Sequence, residues 1–194
     1  MQQRQIMPGR AARLVTAEEF ARIPDDDQHY ELVEGRVVRM SPPGSRHGAL
    51  ATRIAALLHQ HVDVHQLGAV LTPAGFWLAT DPDTVREPDI AFVRAGRMPS
   101  TDIPDGFWPG PPDLAIEISS PGDRQAMIRD KVRDYLARGV MLVWIVDPKG
   151  KTVTVHREES RPVTLGVDDE IDASEVVPGF TCAVRQFFEK PGRV

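Results

Sequence analysis

The chain has 194 residues, of which 41% are hydrophobic and 26% charged, and its formal net charge is −5. This composition is that of an ordinary globular protein, so it excludes wholesale disorder. The single cysteine, Cys182, excludes an intrachain disulfide and CxxC zinc ligation. The negative charge excludes nucleic-acid binding through bulk charge, although a local basic groove remains compatible with it.

Hydrophobic periodicity and turn residues predict a chain in which strands alternate with helices. Residues 1–13 are polar and rich in arginine, without an apolar run, so we expect a flexible tail and no secretory signal. Residues 97–112 hold five prolines and predict a loop. In chain order, the predicted elements are a short helix over 16–23, a hairpin of 30–33 and 36–40, a helix over 45–67, a strand over 70–79 broken at Pro73 and Gly75, strands over 88–93 and 114–119, a helix over 123–138, strands over 140–146 and 152–156, and a helix over 184–189.

Three of the predicted strands each carry one acidic residue among apolar ones, namely Glu31, Asp89 and Glu117. A carboxylate inside a sheet is costly to ionise unless something compensates its charge. If the three strands are neighbours, the carboxylates can converge and repel one another by roughly 4 kcal/mol per pair at 4 Å. Protonation would relieve that repulsion, and so would a divalent cation such as Mg²⁺.

The predicted helix over 123–138 supplies positive charge, because it carries five basic residues against three acidic ones. At about 100° per residue, Lys131 lies on one stripe of this helix together with Arg124 and Tyr135, at the margin of the core-facing side. Its ammonium group can therefore reach across a sheet surface. The local excess of positive charge is compatible with a surface that faces phosphate.

Short motifs occur along the chain in a fixed order, from about Thr16 to Phe188. This ordered set resembles the Uma-two family of restriction endonucleases, which belongs to the PD-(D/E)XK nuclease superfamily. The resemblance implies a restriction-endonuclease-like α/β fold with a mixed sheet flanked by helices, formed by residues 14–190 as a single domain. The motifs are Tyr30-Glu31-Leu32-Val33-Glu34-Gly35, Met40-Ser41-Pro42, Arg46-His47, Pro88-Asp89-Ile90, Glu117-Ile118-Ser119-Ser120-Pro121, Lys131 to Tyr135, Gly139-Val140 and Trp144-Ile145-Val146-Asp147-Pro148.

By this resemblance, the chain is expected to hydrolyse phosphodiester bonds in nucleic acid, with DNA as the expected substrate and Mg²⁺ or Mn²⁺ as the cofactor. Asp89 and Glu117 would bind the metal, Glu31 would be an additional acid near it, and Lys131 would be the catalytic lysine. The superfamily usually places that lysine two residues after the glutamate, where this chain has Ser119. The family shows the same displacement of the lysine to the following helix.

Three further residues are expected to contact the substrate. His47 opens the helix that follows the proline loop, and Arg124 and Tyr135 share the stripe of Lys131. Members of the superfamily often dimerise, so a homodimer is also an expectation of the resemblance. The longest apolar run, residues 140–146, is far shorter than the about 20 residues of a membrane span, so we expect a cytoplasmic protein that does not bind membranes.

Two other interpretations stay open. The first is a catalytically idle nuclease-fold protein that binds or assembles with a partner, which the serine at position 119 and the acidic net charge would suit. The second concerns His61 and His65, whose spacing on a helix can bind zinc, although no third ligand is evident and a solvated helix end is the favoured interpretation.

Overall fold

The computed structural model describes residues 13–24, 29–100, 103–120 and 125–189. The predicted tail, except for Arg13, lies outside these ranges. The described helices are α1 (Ala17–Phe20), α2 (Ser45–Val64), α3 (Gln125–Ala137) and α4 (Arg185–Phe188). The described strands are β1 (Tyr30–Val33), β2 (Arg36–Arg39), β3 (Gly68–Leu71), β4 (Phe76–Ala79), β5 (Thr84–Arg86), β6 (Ile90–Arg94), β7 (Trp108–Pro109), β8 (Leu114–Ile118), β9 (Leu142–Asp147), β10 (Thr152–His156), β11 (Val163–Leu165), β12 (Glu170–Asp172) and β13 (Thr181–Ala183).

The main sheet has six strands in the order β11-β10-β9-β8-β6-β3. Strands β8 and β9 are parallel and are connected through α3, whereas the other neighbours in this sheet are antiparallel. A parallel pair needs such a crossover, and the apolar sequence of β9 fits its burial on both faces. The predicted mixed α/β fold is therefore confirmed.

A second sheet has the order β2-β1-β5-β4-β7, and β12 pairs with β13 alone. The β1–β2 hairpin turns at Glu34 and Gly35, where φ is +49° and +71°. Two successive positive φ values are typical of a type I′ turn, and the predicted hairpin is present. Strand β5 lies between β1 and β4, so its residues are covered on both edges.

Helices cover the main sheet on both faces. On one face, α2 packs Leu50, Ile54 and Leu58 against a core that contains Ile116 and Trp144. These α2 residues recur at helical spacing, which is why the helix was readable from sequence. On the other face, α3 and β4 enclose a second core. Among the described residues, no helix has both the length and the apolar character needed to span a lipid bilayer.

The structure differs from the sequence predictions at several places. The predicted loop over 97–112 contains the two-residue strand β7, and the predicted helix over 45–67 ends at Val64. The predicted strand over 70–79 is two strands in different sheets, because the chain turns between β3 and β4 at Pro73 and Gly75. Strand β5 was not predicted, since its three residues follow directly on the Asp81-Pro82-Asp83 turn. Helix α1 has the predicted capping box of Thr16 and Glu19 but ends at Phe20 rather than near residue 23.

Candidate active site

A cleft of about 310 Å³ opens between the start of α2, strand β1 and the adjacent ends of β6 and β8. The structure brings five of the sequence-predicted site residues to this cleft. Its lining includes Glu31, His47, Asp89, Glu117 and Lys131. These residues come from three different strands or strand ends and two helices, so only the folded chain assembles them.

Asp89 and Glu117 lie opposite each other because of the pairing of β6 with β8. The pair Ile90–Ile116 sets the antiparallel register, which places Asp89, one residue before β6, beside Glu117. The backbone N–H of Ile118 donates to Asp89 Oδ2 over 2.7 Å. The Nε2 atom of His47 lies 2.9 Å from Asp89 Oδ1, so α2 also holds this carboxylate.

The ammonium group of Lys131 reaches the cleft from α3 and is shared by two carboxylates. Its Nζ lies 3.0 and 2.9 Å from the two carboxylate oxygens of Glu117, and 3.0 Å from Glu31 Oε1. One helical turn further on, the hydroxyl of Tyr135 donates to Glu117 Oε1 over 2.7 Å. The helix thus presents two donors to the same carboxylate at i and i+4 spacing.

Glu31 is 1% exposed and is held by a buried guanidinium. Arg86 Nη1 donates to Glu31 Oε2 over 2.7 Å, and the other end of this guanidinium pairs with Asp134 on α3. The backbone N–H of Glu87 donates to Glu31 Oε1 over 3.3 Å. Because Leu32 and Val85 face the small core under α1, the alternation along β1 and β5 directs Glu31 and Arg86 to the opposite face, toward α3.

The cleft carries an excess of negative charge that shifts the pKa values of its members. Burial raises the pKa of Glu117 to about 7; the carboxylates of Asp89 and Glu31 add to the rise, and Lys131 and Tyr135 oppose it. Burial also raises the pKa of Glu87. For Lys131, burial lowers the pKa, but the carboxylates of Glu117 and Glu31 outweigh it, so the ammonium is held above its ordinary pKa.

The donor atoms of this cleft suit a hard divalent cation, because they are carboxylate oxygens whose mutual repulsion a cation would relieve. Among the described residues, no group of three or more histidine, cysteine or acidic side chains is already arranged as a metal-ligand set. Both oxygens of Glu117 accept from Lys131, and those of Asp89 contact His47 and the Ile118 N–H. A cation would therefore take the place of some of these contacts.

The remaining predicted residues lie elsewhere. Tyr135 is fully buried and is not part of the cleft lining, so its contact is with Glu117. Arg124 lies outside the described residues. The hydroxyl of Ser119 donates to the Val146 carbonyl over 3.2 Å. The rings of His61 and His65 are 4.3 Å apart, but they meet no third metal-ligating side chain among the described residues.

The sequence analysis missed Arg86, Glu87 and Asp134. Arg86 and Glu87 contact Glu31, and Asp134 pairs with Arg86. A buried carboxylate in β1 requires a buried cation, and this requirement was a usable signal for an arginine on a neighbouring strand. It was not used because β5 was not predicted. Asp134 follows Lys131 by three residues on α3, so helical spacing alone placed it on the same side.

Comparisons with known proteins show the family and the fold of the chain. Residues 17–185 match the model of the Uma2 family, which is described as "Putative restriction endonuclease". The fold is similar to the crystal structure of "a putative nuclease belonging to DUF820 from Anabaena variabilis ATCC 29413", with a TM-score of 0.80 and 21% sequence identity over 90% of this chain and 97% of that chain. At that identity the likeness shows the fold. No curated protein matches the chain.

Proposed function

Since the chain belongs to the Uma2 family, we propose that it is a metal-dependent endonuclease that hydrolyses phosphodiester bonds in nucleic acid, with DNA as the expected substrate. One observation carries the proposal. The ammonium of Lys131 lies within 3.0 Å of carboxylate oxygens of both Glu117 and Glu31. The helix thereby supplies the positive charge that Ser119, in the usual position of the superfamily's lysine, lacks.

Asp89 and Glu117 would hold Mg²⁺ or Mn²⁺, and Glu31 would be the additional acid beside them. A divalent cation bound by these carboxylates polarises a phosphoryl oxygen and lowers the pKa of a water molecule. Asp89 is oriented for this role by the Ile118 N–H and by His47. Tyr135 and Lys131 together fix the carboxylate plane of Glu117.

Lys131 would stabilise the charge that develops on the phosphate during attack by water. Its side chain is 13% exposed, so the ammonium acts in a largely desolvated site where electrostatic interactions are strong. The neighbouring carboxylates keep its pKa above the ordinary value, and the group therefore stays protonated throughout the physiological range. His47 also lines the cleft and would contact a phosphate of the substrate there.

The test is cleavage of plasmid DNA and of a single-stranded oligonucleotide with Mg²⁺ or Mn²⁺. We expect Lys131→Ala to lower the rate by about 10²–10³, the effect of removing one group that stabilises developing charge. Asp89→Ala should abolish metal-dependent cleavage. Lys149→Ala, which removes an exposed lysine on the β9–β10 turn, is the matched control and should cleave normally. Wild-type rates in both Lys131→Ala and Asp89→Ala would refute the proposed site.

The second candidate is a nuclease-fold protein that binds a partner without catalysis. It is favoured by the direct pairing of Lys131 with Glu117, which balances the carboxylate's charge without a cation. Calorimetric titration with Mn²⁺ separates the two candidates. The endonuclease requires binding that is lost in Glu117→Gln, whereas an idle protein needs no such binding.

A further inference from the structure

A large groove adjoins the cleft along the outer side of α2. Its volume is about 790 Å³, and Thr52 lines both the groove and the cleft, so the two spaces lie side by side along α2. The part of α2 between them is built from small residues. Gly48 and Ala51 face the cleft, whereas Ala49 and Ala56 face the groove. Because these small side chains project little from α2, one extended ligand can lie in both the cleft and the groove.

The groove is basic although the chain is acidic. Arg46, Arg53 and Lys151 line it, against Glu189 as the acidic residue of the lining, in a chain with a net charge of −5. Arg46 and Arg53 use only some of their N–H donors in the contacts described below. Arg46 contacts the Pro148 carbonyl through one nitrogen, and Arg53 Nη1 lies at 3.5 Å from Glu189 Oε2. A guanidinium has five N–H donors, so both arginines can bind a further anion.

The cleft also adjoins a second hollow, whose described lining lacks the basic residues of the groove. This hollow of about 630 Å³ shares His29, Pro73 and Glu87 with the cleft, and its described lining contains Asp105 but no arginine or lysine. A cleft with openings on two sides suits a polymer that passes through it. Of the two openings, the α2 groove is the one whose charge attracts a polyanion.

The groove is also mainly apolar, with the partly exposed ring of Phe188 in its lining. An apolar wall with an aromatic ring gains nothing from duplex DNA, whose bases are stacked inside. In contrast, single strands bind by combining a basic track for the phosphates with aromatic rings for the bases. The chemistry of the lining therefore favours unpaired nucleotides.

We propose that this groove binds a single-stranded segment of the nucleic-acid substrate next to the phosphate in the cleft. The inference rests on the proposed nuclease function. The backbone phosphates of the strand lie along Arg46, Arg53 and Lys151, and a base packs against Phe188. The substrate class is thus nucleic acid with an unpaired segment, such as a single strand, an overhang or a flap.

Binding is tested by fluorescence anisotropy with a labelled oligo(dT) of about 20 nucleotides, which exceeds the roughly 4–16 nucleotides that one such groove covers. A duplex of the same length is the second probe, and EDTA prevents cleavage. The full chain should bind the single strand more tightly than the duplex. We expect the double variant Arg53→Ala/Lys151→Ala to weaken single-strand binding at least tenfold at low salt, with a salt slope lower by about 1.4.

Phe188 is tested with two substitutions, because the ring also packs against the core. Phe188→Leu should weaken single-strand binding about tenfold, whereas Phe188→Trp, which keeps a stacking surface, should retain it. Arg157→Ala/Arg185→Ala removes the same charge from surface ion pairs with Glu175 and Asp168 and is the matched control for the double variant. Thermal melts show which variants fold.

The inference would be overturned by no binding of the single strand to the wild-type chain, by equal losses in the groove variants and the control, or by tighter binding of the duplex. Sedimentation of Phe188→Leu provides a further check, since dissociation of a wild-type dimer by this substitution would show that a second copy occupies the groove. Failure of the proposed nuclease function would give a different experimental result. In that case the wild-type chain would not cleave with Mg²⁺ or Mn²⁺, while groove-dependent binding in EDTA would persist.

Discussion

One ammonium group in the cleft joins two carboxylates from different strands. Desolvation would by itself drive Lys131 toward the neutral form, and it would equally protonate Glu117. The pairing keeps the lysine charged, whereas burial still raises the pKa of Glu117 to about 7, and the negative charges of Asp89 and Glu31 add to this rise. As a consequence, an additional cation beside Glu117 would stabilise the ionised form of this carboxylate.

Arg86 is the buried guanidinium that pairs with Glu31, and its removal should lower the free energy of unfolding. Arg86→Met leaves Glu31, at 1% exposure, with Lys131 and the Glu87 N–H as its remaining partners. Breaking a buried ion pair on one side costs about 3–5 kcal/mol. We expect a loss in the free energy of unfolding near the lower end of this range, measured by urea denaturation. The double variant Glu31→Gln/Arg86→Met should be more stable than Arg86→Met alone. If the double variant is equally or less stable, the pairing of Arg86 with Glu31 is contradicted.

At the scale of elements, the sequence predicted those parts of the fold that local signals specify. The capping box of Thr16 and Glu19, the Glu34-Gly35 turn and the apolar stripe of α2 each act within a few residues, so their elements were found. The assignment of strands to sheets depends on pairing partners distant in sequence. For this reason β3 and β4 were predicted as one strand, and β5, with three residues, was missed.

The candidate site was likewise predicted where local signals specify it and missed where it depends on contacts between distant residues. Three acids within apolar strands could be recognised from alternation, and the helical stripe put Lys131 at the edge of the core. Their meeting depends on the register of β6 with β8 and on the crossover through α3. Arg86 and Asp134 were missed because their roles exist only through contacts across the fold, of Arg86 with Glu31 and of Asp134 with Arg86.

Strand β3 enters the main sheet through a glycine whose substitution should be severe. Gly68 has φ of +146°, and a Cβ there would lie 2.0 Å from the Val93 carbonyl oxygen on β6. We expect Gly68→Ala to lower the free energy of unfolding by about 2–3 kcal/mol or more, since strained backbone alone costs roughly 1–3 kcal/mol. Gly96→Ala is the matched control, because a Cβ there meets nothing within 4 Å. Similar urea midpoints for both variants would contradict the close approach.

At the scale of the molecule, α2 separates two regions of opposite charge. On its cleft side lie the carboxylates Glu31, Asp89 and Glu117, and on its outer side lie Arg46 and Arg53. A polyanion is attracted to the outer side and repelled by the carboxylates until their charge is neutralised. In the proposed function, metal binding in the cleft and substrate binding in the adjacent groove therefore support each other.

Metal binding should accordingly stabilise the whole fold in a pH-dependent way. Because the folded-state pKa of Glu117 is raised to about 7 from 4.5, the metal-free chain binds more protons folded than unfolded in that range, and its stability falls as pH rises toward and through 7. A cation needs the ionised carboxylate, so its stabilising effect should be greater at pH 8 than at pH 6. At a hundredfold excess over the dissociation constant, the gain is about 2.7 kcal/mol, or roughly 5–10 °C in Tm for a chain of this size.

Differential scanning calorimetry with Mn²⁺ at the two pH values measures this gain, with NaCl at equal ionic strength as the control for screening. Glu117→Gln should lose most of the Mn²⁺-dependent shift and should also show a flatter dependence of Tm on pH without metal, because it removes the group that titrates. Equal Mn²⁺ shifts in the wild-type chain and in Glu117→Gln would mean that the cation binds elsewhere. A shift larger at pH 6 than at pH 8 would mean that ionisation of Glu117 does not limit binding.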